Sequence, residues 1–184
     1  MPKTLKYAGI GSRKTPDYIL HQMAAVAIQL AEAGWLLRSG HADGADMAFE
    51  TGCTLGNGAM EIFVPWFGFN GAPTGHPDYI RPKATQELAD FSKQFHPAWD
   101  RCSDAAKLLH MRNGPQVLGL DGDDPVDMVV CWTPKGNGSG GTGQAIRIAQ
   151  HYEIPVFDLG IPGDFIAQEM CKFVELCTNN RRAA

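Results

Sequence analysis

Short apolar runs alternate along the chain with longer stretches in which apolar residues recur at helical spacing. Leu5 to Gly11, Trp35 to Ser39, Ala59 to Val64, Val129 to Thr133 and Ile154 to Asp158 predict five strands. Ile19, Met23, Val26, Ala27 and Leu30 predict an amphipathic helix, opened by Pro16 and Asp17 and closed by Gly34. Further helices are predicted over about Ala45 to Leu55, Lys83 to His96, Ser103 to Met111 and Gln144 to Tyr152. Pro97 breaks the pair at 83–111, and Arg112-Asn113-Gly-Pro ends the second of them. A last helix starts at Asp164, with Ile166, Met170, Phe173, Val174 and Cys177 inward, and 179–184 reads as a frayed tail.

Strands alternating with helices of this length imply right-handed crossovers and a parallel sheet covered on both faces. The expectation is a single α/β domain over 1–184, with about five strands in the order 3-2-1-4-5. Residues 65–82 interrupt the pattern. They are rich in aromatics, Gly and Pro, and a connection this long without periodicity is usually a lid or an interface. Trp66, Phe67 and Phe69 there either stack on a base or pin the loop to the body or to a second subunit.

Three of the strand-to-helix turns carry the candidate chemistry. The segment Pro134 to Gly143 holds five glycines within eight residues, set between a buried strand and a helix. Glycines there permit a tight turn and close approach of the backbone, and the helix start presents unpaired N–H groups and a positive dipole end, which suits a phosphate. Gly9-Ile-Gly11 followed by Ser12-Arg13-Lys14 forms a second such turn, and Gly40-His-Ala-Asp-Gly-Ala-Asp46 a third. All three fall at the carboxyl edge of the strands, where an open parallel sheet binds its ligand.

Across that edge, 9–16 and 134–143 face each other and 40–46 flanks them. Phosphate would be held by backbone N–H groups around Gly138, Ser139, Gly140, Gly141 and Thr142 and by the hydroxyls of Ser139 and Thr142. Arg13 or Lys14 would add charge-assisted bonds and Ser12 a further donor, on a turn shaped by Gly9 and Gly11. Thr133 at the strand end, Gly40, His41 and Gly44 of the third turn, and Arg112 and Asn113 complete the candidate set. Asp43 and Asp46 are the nearest acids for ribose hydroxyls; alternatively Asp43 shapes its turn and Asp46 caps a helix.

Composition narrows the classes. The 184 residues are 44% hydrophobic and 20% charged, which excludes a disordered chain, and no stretch is long enough to span a bilayer. The start Met-Pro-Lys-Thr-Leu-Lys runs straight into a strand, so no signal peptide and a cytoplasmic location are expected. A net charge of -4 gives no global attraction to nucleic acid, which is therefore not expected as a partner. Five scattered cysteines without a C-x-x-C pair argue against a disulfide framework or a zinc knuckle. Cys131, the one nearest the glycine turns, sits in an apolar strand, where a thiol is a core residue. Asp121-Gly-Asp-Asp124 lacks calcium-loop spacing, precedes its strand and reads as a solvated turn. Neither a metal nor a cofactor is expected.

Tyr7-Ala-Gly-Ile-Gly-Ser-Arg13, Gly40-His-Ala-Asp-Gly-Ala-Asp-Met-Ala48, Arg112-Asn113 and Gly138-Ser-Gly-Gly-Thr142 resemble, in order and spacing over about 5–160, the Rossmann-like superfamily that joins DprA/Smf proteins to the LOG phosphoribohydrolases. The second motif is most similar to the YspA-like branch. The resemblance implies a Rossmann-like fold, a nucleotide or nucleotide-derived ligand, and a homodimer or larger homo-oligomer. LOG-type enzymes carry a glutamate three residues beyond the motif threonine; here that position is Ala145, beside Gln144. Cleaving an N-glycosidic bond needs a carboxylate, and Glu50 and Asp46 are the candidates to stand in.

The first reading is therefore a binding protein that senses, carries or sequesters a nucleotide-derived ligand. The second is an N-glycoside hydrolase using Glu50, Asp46 or Asp43. The third is single-stranded DNA binding of the DprA kind, for which no run of Lys and Arg is present.

Overall fold

The computed structural model describes residues 3–183. Its elements are β1 (Lys6–Gly9), α1 (Asp17–Glu32), β2 (Leu36–Ser39), α2 (Ala45–Leu55), β3 (Met60–Phe63), β4 (Tyr79–Ile80), α3 (Gln86–Gln94), α4 (Asp104–Met111), α5 (Asn113–Leu118), β5 (Met128–Cys131), α6 (Gly140–His151), β6 (Val156–Asp158) and α7 (Phe165–Ala183). The strands form one parallel sheet in the order β4-β3-β2-β1-β5-β6. This is a Rossmann-like α/β arrangement, and the strand order reverses between β1 and β5 as expected.

Alternation along the strands sorts side chains into two cores. Tyr7, Leu37, Ile62, Met128 and Val130 pack with α1, α2 and α7 on one face, while Ala8, Ile10, Val129 and Cys131 pack with α5 and α6 on the other. Phe49, Leu37 and Ile148 are fully buried, and each such burial stabilises by roughly 1.5–3 kcal/mol. No helix among the described residues is long and apolar enough to cross a membrane.

Several expectations are corrected. The 65–82 stretch contains a 3-10 turn at Phe69–Gly71 and the sixth strand, β4, which pairs with β3 through Ile62 and Tyr79. A strand two residues long carries no readable alternation. Phe69 is buried and meets Trp66 edge to face at 5.2 Å, and Phe67 lies beneath the Arg81 guanidinium at 4.4 Å. The helix α4 ends at Arg112 as expected, but the chain enters a further helix, α5, at once from Asn113, with Arg112 between the two in right-handed helical geometry. Asp121, Gly122 and Asp123 form an exposed turn as expected, but Asp124, only partly exposed, also pairs with Lys6 and, at 2.6 Å, with Arg38 Nη2, whose side chain is only 2% exposed. Residues 179–183 are helical rather than frayed, as the end of α7, and Arg181 there donates to the carbonyls of Ala33 and Gly34 just past α1; position 184 lies outside the described residues.

Candidate functional site

Where β1 and β5 diverge, their carboxyl ends open a crevice of about 510 Å³. One wall is the turn Gly11 to Lys14, the opposite wall is Ser139 to Thr142, and α4 and α5 close the side with His110, Arg112, Asn113 and Gln116. Ser139 holds extended N-cap geometry, yet its side chain caps nothing, so the first-turn N–H groups of α6 lack the usual internal acceptor. Arg13 and Lys14 are exposed on the rim. Ile10, Ala42, Leu109 and Ala145 give the crevice an apolar floor.

The polar interior is built around Arg112. Its guanidinium is buried and pairs with Asp46 at 3.4 Å, and its Nε has no partner. Gln116 is likewise buried with Nε2 unpartnered. Both stand over Gly40, where a Cβ would come within 2.0 Å of Arg112 Nη1 and 2.3 Å of Gln116 Nε2; only glycine leaves that room. Asp46 ties the turns together by accepting from the N–H groups of Gly11 and Ala42, both at 3.3 Å. These contacts are long, and burial shifts the Asp46 carboxyl up against the opposing pull of Arg112. Burial also shifts Arg112 down, though a guanidinium stays charged.

Of the residues anticipated from sequence, Gly11, Ser12, Arg13, Lys14, Asp46, Arg112, Asn113, Ser139, Gly140, Gly141 and Thr142 line this one crevice. The others support it from behind. Gly9 lies under Phe49, and Gly44, at φ +83°, packs on the backbone of Ser12 and Arg13. Asp43 accepts from Asn70 Nδ2 at 2.9 Å. Thr133 is buried, with its N–H bonded to Asp158 at 2.8 Å and its Oγ1 accepting from Gly138 N–H at 3.0 Å, so it braces the glycine turn. Gly138 borders a separate cavity with Arg147 and Asp158. Glu50 does not reach the crevice: its Oε2 meets His41 Nδ1 at 2.8 Å and Tyr79 Oη at 3.3 Å, and burial pushes its carboxyl up. The same surroundings push the Tyr79 phenol up to about 12, burial first and the Glu50 charge second.

Sequence reasoning missed His110 and Gln116. A signal existed: Ala106, Leu109, His110 and Asn113 recur at the spacing of one helix face. Gln144, beside the position where LOG-type enzymes carry their glutamate, orients His110. Its Nε2 donates to the Ser92 carbonyl at 2.9 Å, so its Oε1 is the acceptor, and it receives Asn113 Nδ2 at 2.9 Å and His110 Nδ1 at 3.0 Å. His110 therefore carries its proton on Nδ1 and a lone pair on Nε2. Burial first, then the neighbouring His96, lowers His110 to about 4, so the ring is neutral.

No family model matches the chain, and no curated protein matches it. Among solved structures it is similar to DNA processing protein A from Helicobacter pylori, described for its single-stranded DNA binding mode, at 16% identity and a TM-score of 0.57, covering 96% of this chain and 79% of that one. It is also similar to the Moco carrier protein of Chlamydomonas rheinhardtii, at 16% identity and a TM-score of 0.51, covering 86% and 77%. The fold is shared. The exclusion of nucleic acid as a partner does not stand, because a protein of this same fold binds single-stranded DNA. Net charge is a sum over the whole surface, whereas phosphate contacts depend on local cations such as the exposed Arg13 and Lys14.

Proposed function

We propose that the crevice binds a nucleotide or nucleotide-derived small molecule through its phosphate, in a protein of the DprA/LOG-like superfamily that senses, carries or sequesters that ligand. One observation carries the reading: Arg112 Nε and Gln116 Nε2 are buried donors without partners on the wall of a crevice whose other wall is an uncapped helix start. Buried donors left unpaired cost about 1–3 kcal/mol each, and an acceptor-rich ligand removes that cost. A phosphate at Ser139 to Thr142 meets the positive end of α6, with Arg13, Lys14 and Arg112 supplying charge. The apolar floor suits a base or another flat ring.

Hydrolysis has less support. Asp46 is the one carboxylate among the crevice-lining residues, and it is engaged by two backbone N–H groups and Arg112. Calorimetric titration with nucleoside monophosphates and with the matching nucleosides tests the binding reading. Tighter binding of the phosphorylated member, lost in Arg112→Met, is expected; equal affinity for both, or none for either, refutes it.

Single-stranded DNA is the second reading, favoured by the fold shared with DNA processing protein A. Its signature is an affinity that grows with oligonucleotide length and a salt dependence that steepens with the number of phosphates contacted, whereas a mononucleotide site gains nothing from added length.

A further inference from the structure

Two imidazoles and a thiol converge beside the crevice. His96 follows α3, Cys102 precedes α4 and His110 lies in the last turn of α4, and one donor atom of each falls within 4.8 Å of the others. His96 Nδ1 is 3.9 Å from Cys102 Sγ, and the two imidazole centroids are 4.0 Å apart. A tetrahedral zinc ion, with Zn–S of about 2.3 Å and Zn–N of about 2.0–2.1 Å, sets N and S roughly 3.5 Å apart. The His96–Cys102 pair, at 3.9 Å, has to close by a few tenths of an ångström to reach that separation, and no donor separation in the trio exceeds 4.8 Å.

The surroundings match what a metal-binding histidine needs. The Nδ1–H of His110 is held by Gln144 Oε1, which is itself fixed by Asn113 and by the bond from its own amide to Ser92. That chain pins the ring and leaves the Nε2 lone pair free, as the partners of a zinc-bound imidazole do. The competing contacts are weak: Cys102 Sγ to the Ala98 carbonyl at 3.5 Å, and Ala98 N–H to His96 Nδ1 at 3.2 Å.

We propose that His96, Cys102 and His110 bind a zinc-class divalent cation at the margin of the crevice. Cys102 binds as thiolate, releasing its proton to solvent, and the two imidazoles bind as neutral donors. The thiolate offsets part of the ion's charge and part of the repulsion from the nearby Arg147. Three protein ligands leave a tetrahedral ion a fourth position for water, and because His110 also lines the crevice, a ligand oxygen there can take that position.

The test uses the full, metal-stripped chain under reducing conditions with no nucleotide present, so its outcome is independent of the nucleotide reading. Titration with cobalt(II) is expected to give a thiolate-to-cobalt charge-transfer band that saturates at a single ion per chain and is displaced by zinc. The band is lost in Cys102→Ser and in His96→Gln and kept in Cys171→Ser, which removes an exposed thiol elsewhere. Gln144→Ala, which frees the His110 ring, weakens binding by roughly 10–100-fold. Circular dichroism identifies variants that fail to fold, and either ligand variant alone is decisive if it folds. No saturable band in the wild type, or a band unchanged in a ligand variant that folds, overturns the site.

Discussion

The guanidinium of Arg112 rests on Gly40, across a gap that a single methyl group would close: a Cβ on Gly40 would stand 2.0 Å from Nη1. A residue in the turn after β2 thus decides whether a cation between α4 and α5 reaches the crevice floor.

Gly40→Ala is expected to displace Arg112 and Gln116 together. Overpacking a tight site costs about 1–3 kcal/mol, read as a lower denaturation midpoint in urea. Affinity for a phosphate-bearing ligand falls with it. A variant that binds and unfolds like the wild type would show that Arg112 has another place to go.

Asp46→Asn separates stability from binding. Arg112 loses its counter-charge and the Gly11 and Ala42 N–H groups lose a charged acceptor, costing about 1–3 kcal/mol of stability. The crevice also loses its negative charge, so an anionic ligand binds several-fold tighter. Calorimetry and thermal melts on one preparation measure both, and weaker anion binding contradicts the electrostatic account.

His110 sets a pH dependence. Its folded value of about 4 lies below the ordinary histidine value, so between roughly pH 6.5 and 4 the unfolded chain holds more protons than the folded one. Stability contributed by the neutral ring is complete above that window and is lost as pH falls through it. Partial exposure reduces the effect to about 1–2 kcal/mol. Nitrogen-15 NMR of metal-free protein should show the Nδ1–H tautomer persisting to about pH 5, and an imidazolium at pH 6 would contradict it.

Asp124→Asn removes the carboxylate that holds Lys6 and the buried Arg38. Burial alone would raise Asp124, but its bonds to the two cations prevail and its carboxyl lies below the usual range. Glu61 still pairs with Arg38 at 2.6 Å, so the expected loss is about 1–2 kcal/mol, measured by urea denaturation at neutral pH. Because Asp124 is partly exposed, the loss shrinks in high salt.

Much of the fold was legible because its signals are local. Apolar runs marked β1, β2, β3, β5 and β6, and strand alternation with helices gave the parallel sheet and its reversal between β1 and β5. The turns at 11–14 and 139–142 were legible as crevice walls because glycine, hydroxyls and cations cluster there in sequence. The two-residue β4 lacked any period, and the ionic role of Asp124 depends on partners 118 and 86 positions away.

Residue order by itself determined the layering of helices on a parallel sheet and the gathering of three glycine turns at one edge, because hydrophobic period and turn chemistry act over a few neighbouring positions. Only the tertiary structure decided that Glu50 faces His41 and Tyr79 rather than the crevice, that Gln144 orients His110, and that Arg112 and Gln116 stand over Gly40 with Nε and Nε2 left without partners. Those outcomes are set by packing between segments far apart in the chain, where burial and the count of available partners determine what each polar group is left to do.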